Sequence, residues 1–326
     1  IDFLGKRRIA FAISGFLILA AIAATLINGM KFGIDFAGGT EVHLRFDPTA
    51  GVDEAALRSV AQACGVVGPS VVRFGEAEDS EFLVRFADIV PEGEGGDTEC
   101  PLTESDRAAI ERADEDMGAI GKTETASVVD RMVAGIGNAV SPAEIMRVEF
   151  VGPRVGGELR EDGLKAMLIA VGMILAYIAF RFSSRFAPGA IVALVHDVGI
   201  TAGIFVLFGL EFDLRVLAAL LAIIGYSLND TIIIYDRIRE NMELHTKFDL
   251  QEVLNLSVNQ TLARTLMTSL TTLLAVGALL IFGGAVIRPF ALAMFIGVIV
   301  GTYSSVFIAS PTLLFLESYF GDSGGA

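Results

Sequence analysis

The chain has 326 residues, 53% of them hydrophobic and 19% charged, with no tryptophan, and its 24 Lys and Arg against 39 Asp and Glu give a formal net charge of −15. That composition is too apolar for an ordinary soluble enzyme and too charged for membrane helices alone. Of the charged residues, 27 acidic and 12 basic ones fall between Gly29 and Asp162, so the negative excess sits in one polar block with no electrostatic reason to seek nucleic acid.

The chain opens with an apolar run at 9–27. A helix rising about 1.5 Å per residue needs roughly 20 residues to cross roughly 30 Å of hydrocarbon, and this run is long enough. It follows Lys6, Arg7 and Arg8, as the core of a signal peptide would. Its length and the lack of a convincing small-x-small cleavage site before Gly29 favour a retained anchor.

The polar block, 29–162, reads as a small α+β unit. Residues 41–46 alternate as a half-buried strand does, and 53–64 carry Ala55, Ala56, Leu57, Val60 and Ala61 on helical spacing. Strands are expected at 70–74 and 81–87. Residues 88–122, rich in Gly, Glu and Asp, have no sustained period and read as a flexible insertion. A helix at 124–140 and a strand at 145–151 complete a β-α-β-β-α-β order, that of a ferredoxin-like split unit. The block offers no Ser/His/Asp set and no phosphate-cradling loop, since Gly33, Gly38 and Gly39 lie in an extended stretch rather than between a strand and a helix. No cofactor or metal site is expected, and the chain does not read as an enzyme. Cys64 and Cys100 both fall in the block; a disulfide and two free thiols are both open.

Five further apolar runs follow, at 164–180, 188–210, 214–235, 266–287 and 289–316, making six spans. With the N-terminus inside, inner segments hold Lys6, Arg7, Arg8, Arg181, Arg185, Arg237, Arg239, Lys247 and Arg264, and short outer turns hold only Arg215 and Arg288. The predicted organisation is a cytoplasmic N-terminus with the first span at 1–28, an exported domain at 29–162, five spans at 163–317 and a cytoplasmic tail at 318–326. Residues 237–260 read as an amphipathic cytoplasmic helix.

An ionisable group in hydrocarbon costs roughly 2.5 to 3.5 kcal/mol on insertion scales, so each one needs a reason. In the third span His196 and Asp197, with Thr201 one turn on, suit a proton relay or a buried pair that locks two helices. In the fourth, Asn229-Asp230-Thr231 lies roughly 9 Å from the cytoplasmic boundary. Asp230 there is either a carboxylate that switches charge state or one hydrogen-bonded permanently to a neighbour; ion pathways are the commoner setting for such groups. In the fifth, Arg264 is followed by Thr268 and Thr271 and flanked by a stripe of Thr261, Thr265, Thr268 and Thr272. The arginine is either a counter-charge to Asp230 or a side chain snorkelling to the headgroups. An aspartyl-protease dyad would need glycines close before one aspartate, whereas Ser227, Leu228 and Asn229 precede Asp230. In the last span Gly297 and Gly301, continued by Ser304 and Ser305, form a small-residue face for close packing, within the chain in preference to a subunit interface.

Several ordered motifs resemble one family. They are Phe32-Gly33-Ile34-Asp35-Phe36-Ala37-Gly38-Gly39-Thr40, Leu194-Val195-His196-Asp197-Val198, Ile224-Gly225-Tyr226-Ser227-Leu228-Asn229-Asp230-Thr231, Asp236-Arg237-Ile238-Arg239-Glu240-Asn241 and Asn259-Gln260-Thr261-Leu262-Ala263-Arg264-Thr265. Together they resemble the SecF family of bacterial protein-export subunits, in the resistance-nodulation-division superfamily. The resemblance implies pairing with SecD beside the SecYEG channel, with SecA, YajC and unfolded preproteins as further partners. It also implies an inner-membrane location and proton-driven completion of translocation after the ATP-driven step. In that family a membrane aspartate and an arginine on adjacent helices support proton conduction, and Asp230 and Arg264 match them, with Asn229, Thr268, His196 and Asp197 as further pathway candidates. The rival function is a proton-coupled solute or drug exporter of the same superfamily.

Overall fold

Six helices are long and apolar enough to cross a membrane: Leu4–Asn28, Pro153–Arg181, Ala187–Leu207, Leu214–Leu244, Leu250–Phe282 and Val286–Phe315. The structure is a computed structural model that describes residues 1–74, 80–89, 100–117, 124–181, 186–245 and 247–320. In chain order its main elements are α1 (Arg7–Asn28), β1 (Lys31–Phe32), α2 (Ile34–Ala37), β2 (Gly39–Phe46), α3 (Glu54–Ala63), β3 (Val66–Val67), β4 (Ser70–Phe74), β5 (Glu81–Phe86), β6 (Asp88–Ile89), α4 (Glu104–Met117), α5 (Glu124–Ala139) and β7 (Ala143–Val151). There follow α6 (Pro153–Arg181), α7 (Ala187–Leu207), β8 (Glu211–Phe212), α8 (Leu214–Leu244), α9 (Leu250–Phe282), α10 (Gly284–Ser304), a π-helical turn (Ser305–Ala309) and α11 (Ser310–Phe320). The chain divides into two compact units, Gly33–Arg160 and the remainder.

In the membrane unit, about half of α7, of α8 and of the last span is buried, against less than a fifth of α1, α6 and α9. The first three therefore form the centre of the bundle. Ile9, Ile13 and Phe16 of α1 and Leu266, Met267, Leu270 and Leu274 of α9 point outward and exposed. Such a surface is stable only against hydrocarbon or a partner's helices, so the chain is a multi-pass membrane protein. Small residues set the closest approaches. A Cβ on Gly203 of α7 would lie 2.1 Å from the Ala21 Cβ of α1, one on Gly301 would lie 2.9 Å from the Ser227 Cβ, and Gly297 abuts Ile223. The small-residue face of the last span thus packs within the chain.

Residues 237–260 differ from the expected single amphipathic helix. α8 continues to Leu244 and α9 starts at Leu250, capped by Asp249 in a capping box with Glu252. The buried positions Val253, Leu254, Ser257 and Val258 run on into Thr261, Thr265 and Ser269. One stripe therefore serves the whole of α9, and its first turns pack on the bundle. Asn241 fixes the pairing by donating to the Ser257 hydroxyl at 2.9 Å and to Gln260 at 2.8 Å.

The second unit has the strand order β4-β5-β2-β7, antiparallel throughout, which is the ferredoxin-like arrangement. Val42, Leu44 and Phe46 of β2 and Phe82, Val84 and Phe86 of β5 pack with Leu57 and Ala61 of α3 and Val128, Met132 and Ile136 of α5. The alternate β2 residues form the open face, where Glu41 pairs with Arg85, and Glu81 takes Arg45 at 2.6 Å and His43 at 2.9 Å. The glycine-bearing entry is not fully extended: α2 forms one turn, ended by Gly38 at φ +77° and Gly39 at φ +127°. A Cβ on Gly38 would meet the Pro153 backbone at 2.7 Å, and one on Gly39 the Phe86 carbonyl oxygen at 2.6 Å.

Cys64 and Cys100 form a disulfide across 36 residues, with Cα atoms 4.5 Å apart. Within 88–122, expected to be a flexible insertion, the chain forms α4. Its start is tied down: Asp106 accepts from the Thr103 hydroxyl and amide, and Asn138 of α5 donates to both Asp106 and the Pro101 carbonyl. The rest of that insertion at 90–99 and 118–122, Arg185, and the tail beyond 320 lie outside the described residues.

Candidate functional site

Two polar clusters occupy the interior of the membrane unit, on either side of one turn of α8. The first surrounds Asp230, which is only 2% exposed. Its Oδ2 is buried with no hydrogen-bond partner among the described residues. The polar groups that act on the carboxylate come from α9, the Arg264 guanidinium through its charge and the Thr268 hydroxyl facing it. Arg264 itself is exposed on the surface of α9, and Asn229 is exposed on the outer face of α8. Thr268 bonds back to the Arg264 carbonyl at 3.1 Å and the Thr265 carbonyl at 3.0 Å. A buried polar atom with no partner is costly, about 1–3 kcal/mol, and such atoms concentrate where a group must change partners or charge.

The second cluster is built around His196 and Asp197 of α7, 3% and 1% exposed. Three donors converge on the Asp197 carboxylate. His196 Nδ1 lies 2.9 Å from Oδ1, the Ser304 hydroxyl of α10 donates to Oδ2 at 2.8 Å, and the Ser227 hydroxyl of α8 donates to the same oxygen. On the far side of the imidazole, Nε2 lies 2.9 Å from the Ser14 hydroxyl of α1. Ser14 contacts the Tyr303 hydroxyl at 3.3 Å, and Tyr303 donates to the Ala10 carbonyl at 2.9 Å. Four helices, α1, α7, α8 and α10, thus share one network. Ser227 stands three residues before Asp230 on α8 and joins the two clusters through a single turn of helix.

Below this network the last span is irregular. The π-helical turn Ser305–Ala309 begins directly after Ser304; a π turn loosens the regular backbone ladder and is frequent at functional sites. Tyr235 of α8, fully buried, donates to the Ala309 carbonyl at 3.2 Å and fits there because Gly189 presents no Cβ against its hydroxyl. A further polar contact runs from the Tyr226 hydroxyl to Ser269 of α9 at 3.4 Å and from Ser269 to Thr302 of α10 at 2.7 Å.

Of the residues singled out in the sequence, the structure gathers Asp230 and Thr268 with the charge of Arg264, and separately His196 with Asp197. Asn229 joins neither cluster. Sequence reasoning misses Ser14 and Tyr303 and reads Ser304 as a packing residue. For Ser14 the only available signal is one of two hydroxyls, with Thr25, within an apolar run. Among the described residues no group of three or more His, Cys, Asp or Glu is placed to hold a metal.

Comparison with known proteins identifies the family. Residues 132–319 match the family described as protein export membrane protein SecD/SecF, C-terminal, and residues 23–50 match the SecD/SecF GG motif, whose two glycines are those at the close approaches of α2 and β2. A protein translocase subunit SecF from Pseudomonas aeruginosa is 42% identical over 97% of this chain and 92% of its own length. A protein translocase subunit SecDF from Thermus thermophilus is 39% identical over 95% of this chain, which spans 37% of that longer protein. The crystal structure of SecDF from the same organism, described as a translocon-associated membrane protein, matches with a TM-score of 0.75 at 37% identity over 98% of this chain and 39% of that one. With the six spans, the ferredoxin-like unit and both motif regions in place, the chain belongs to the SecF family of protein translocase subunits.

Proposed function

We propose that this chain is a subunit of the bacterial Sec translocase that pairs with SecD and uses the proton motive force to complete preprotein translocation after the ATP-driven step of SecA. The site works beside the SecYEG channel, with YajC as an accessory partner and unfolded preprotein as substrate. The pairing with SecD is supported by the fused SecDF relative, in which a chain like this one occupies part of a longer polypeptide. The protein sits in the inner membrane with both termini cytoplasmic and residues 29–162 in the periplasm, as the excess of basic residues in the inner segments supports. A disulfide within the exported unit suits an oxidising compartment.

The observation that carries the reading is the buried Asp230 carboxylate with an orphaned oxygen, facing a hydroxyl and a cationic charge from the neighbouring helix. Protonation removes its attraction to Arg264, α8 and α9 repack, and the exported unit moves with them. Thr268 offers the proton a hydroxyl contact, Asn229 marks the outer face of the same turn, and His196 with Asp197 extends the pathway into α7. A gradient of 100 mV supplies roughly 2.3 kcal/mol per charge, so a few protons suffice to bias a two-state element.

The test is preprotein export into inverted membrane vesicles with and without an imposed proton gradient. Native protein should respond to the gradient and Asp230→Asn should not. Equal gradient dependence in the two would overturn the assignment.

A further inference from the structure

Resting on the proton-driven reading above, we infer that Ser14 is a positioning residue for His196: its hydroxyl reverses direction when the imidazole takes up a proton, so His196 stays hydrogen-bonded in both forms. Proton bookkeeping along the chain of contacts carries the argument. Nδ1 faces Asp197 at 2.9 Å, and with a carboxylate as partner it is the nitrogen that bears hydrogen in the neutral ring. Nε2 is then an acceptor, and among the described residues its donor is the Ser14 hydroxyl at 2.9 Å.

When Nε2 gains a proton, one N–H bond forms there and no other covalent bond changes. Nε2 now donates to Ser14, which keeps its own hydrogen and turns it toward the Tyr303 hydroxyl at 3.3 Å. Tyr303 accepts it while its own hydrogen stays on the Ala10 carbonyl at 2.9 Å. Every donor in the row has an acceptor in the charged form, and Nε2 keeps its partner in the neutral form. A main-chain carbonyl at the end of the row is what allows this, because it accepts in both cases.

The groups facing His196 are consistent with the role. Its own helix contributes Asp197, α1 contributes Ser14 and α10 contributes Tyr303, while Ser304 of α10 and Ser227 of α8, one turn from Asp230, act on the ring through the Asp197 carboxylate. The interface that carries Ser14 is tightly held. Seven residues beyond Ser14 and seven beyond His196, Ala21 and Gly203 make the closest approach of α1 to α7, so the hydroxyl cannot drift from the ring.

The experiment is nitrogen-15 NMR of the histidine rings in the full chain in lipid nanodiscs, over a pH series, with His196 assigned by a His196→Gln sample. The expected result is a His196 ring whose Nε2 signal has the shift of a hydrogen-bonded acceptor at high pH and which gains a second ring proton on acidification. In Ser14→Ala the acceptor shift should move to that of a free nitrogen, and the pH dependence of the ring signals should change with it. Ser14→Thr should restore both, and Tyr303→Phe should move the pH of the change without altering the high-pH signal. A ring that never gains its second proton, or one that behaves alike in native protein and Ser14→Ala, overturns the inference. Those outcomes leave the Asp230 assay unaffected, and loss of gradient response through Asp230 is read in vesicles without reference to the ring signals.

Discussion

Removing the Cys64–Cys100 bridge should destabilise the exported unit by an amount that its loop length sets. The bridge closes 36 residues, and the chain-entropy relation gives about 4 kcal/mol for a loop of that size. Domains of this kind are stable by about 5–15 kcal/mol, so the loss is a large fraction of the total. It corresponds to a fall of roughly 10–20 °C in the unit's unfolding temperature. Both sulfurs are buried against α5, where a Cβ on Gly135 would lie 2.7 Å from Cys64 Sγ and 3.0 Å from Cys100 Sγ. Gly135→Ala should therefore cost about 1–3 kcal/mol with the bridge present, and much less in the Cys64→Ala/Cys100→Ala background, where the sulfurs are gone. The assay is hydrogen exchange of β2 and β5 amides in the full chain in nanodiscs, for the four members of that cycle. Equal protection of the native and cysteine-free chains would refute the loop-closure argument. A Gly135→Ala cost that stays the same in both backgrounds would refute the packing argument.

The membrane helices make a sharper steric prediction. Gly203→Ala, whose Cβ would fall 2.1 Å from that of Ala21, should lower the melting temperature of detergent-solubilised protein by a cost of about 1–3 kcal/mol. Gly199→Ala on the same helix meets nothing within 4 Å and should leave it unchanged. Ser227→Ala takes one of three donors from the buried Asp197 carboxylate and should destabilise the bundle by about 1.5–3 kcal/mol in the same melts. Asp106 is held below the ordinary aspartate value of 3.8 by the Thr103 hydroxyl first, then by Asn138 and the Thr103 amide. The stabilisation is therefore present above that value and is lost as the pH falls through the lower, folded one. Hydrogen-exchange protection at the start of α4, taken relative to the intrinsic amide rate at each pH, should fall on acidification in the native chain. In Thr103→Val that fall should begin at higher pH.

How much of this was readable in advance depends on the range of the interaction involved. The six spans and the β-α-β-β-α-β order follow from periodicity and run length, which are local, and both are visible in the sequence. α4 is not, because its residues are mostly polar and its start is tied by Asn138 across 32 residues. The end of α8 at Leu244 and the start of α9 at Leu250 are hidden for the opposite reason. Apolar residues keep helical spacing in both helices, and only the Asp249 capping box marks the restart. Asp230 stands out as a charge in an apolar run, whereas Ser14 does not. A serine costs little in a membrane helix, and its meaning lies in a hydrogen bond to a residue 182 positions away.

The paired contacts of α1 and α7 have a mechanical consequence. Ser14 meets His196 and Ala21 meets Gly203, two fastenings at equal spacing on helices running the same way. Axial sliding would break the polar fastening and drive methyl into backbone at the other. Sliding the first span along the third therefore carries a cost at two levels of the bilayer at once.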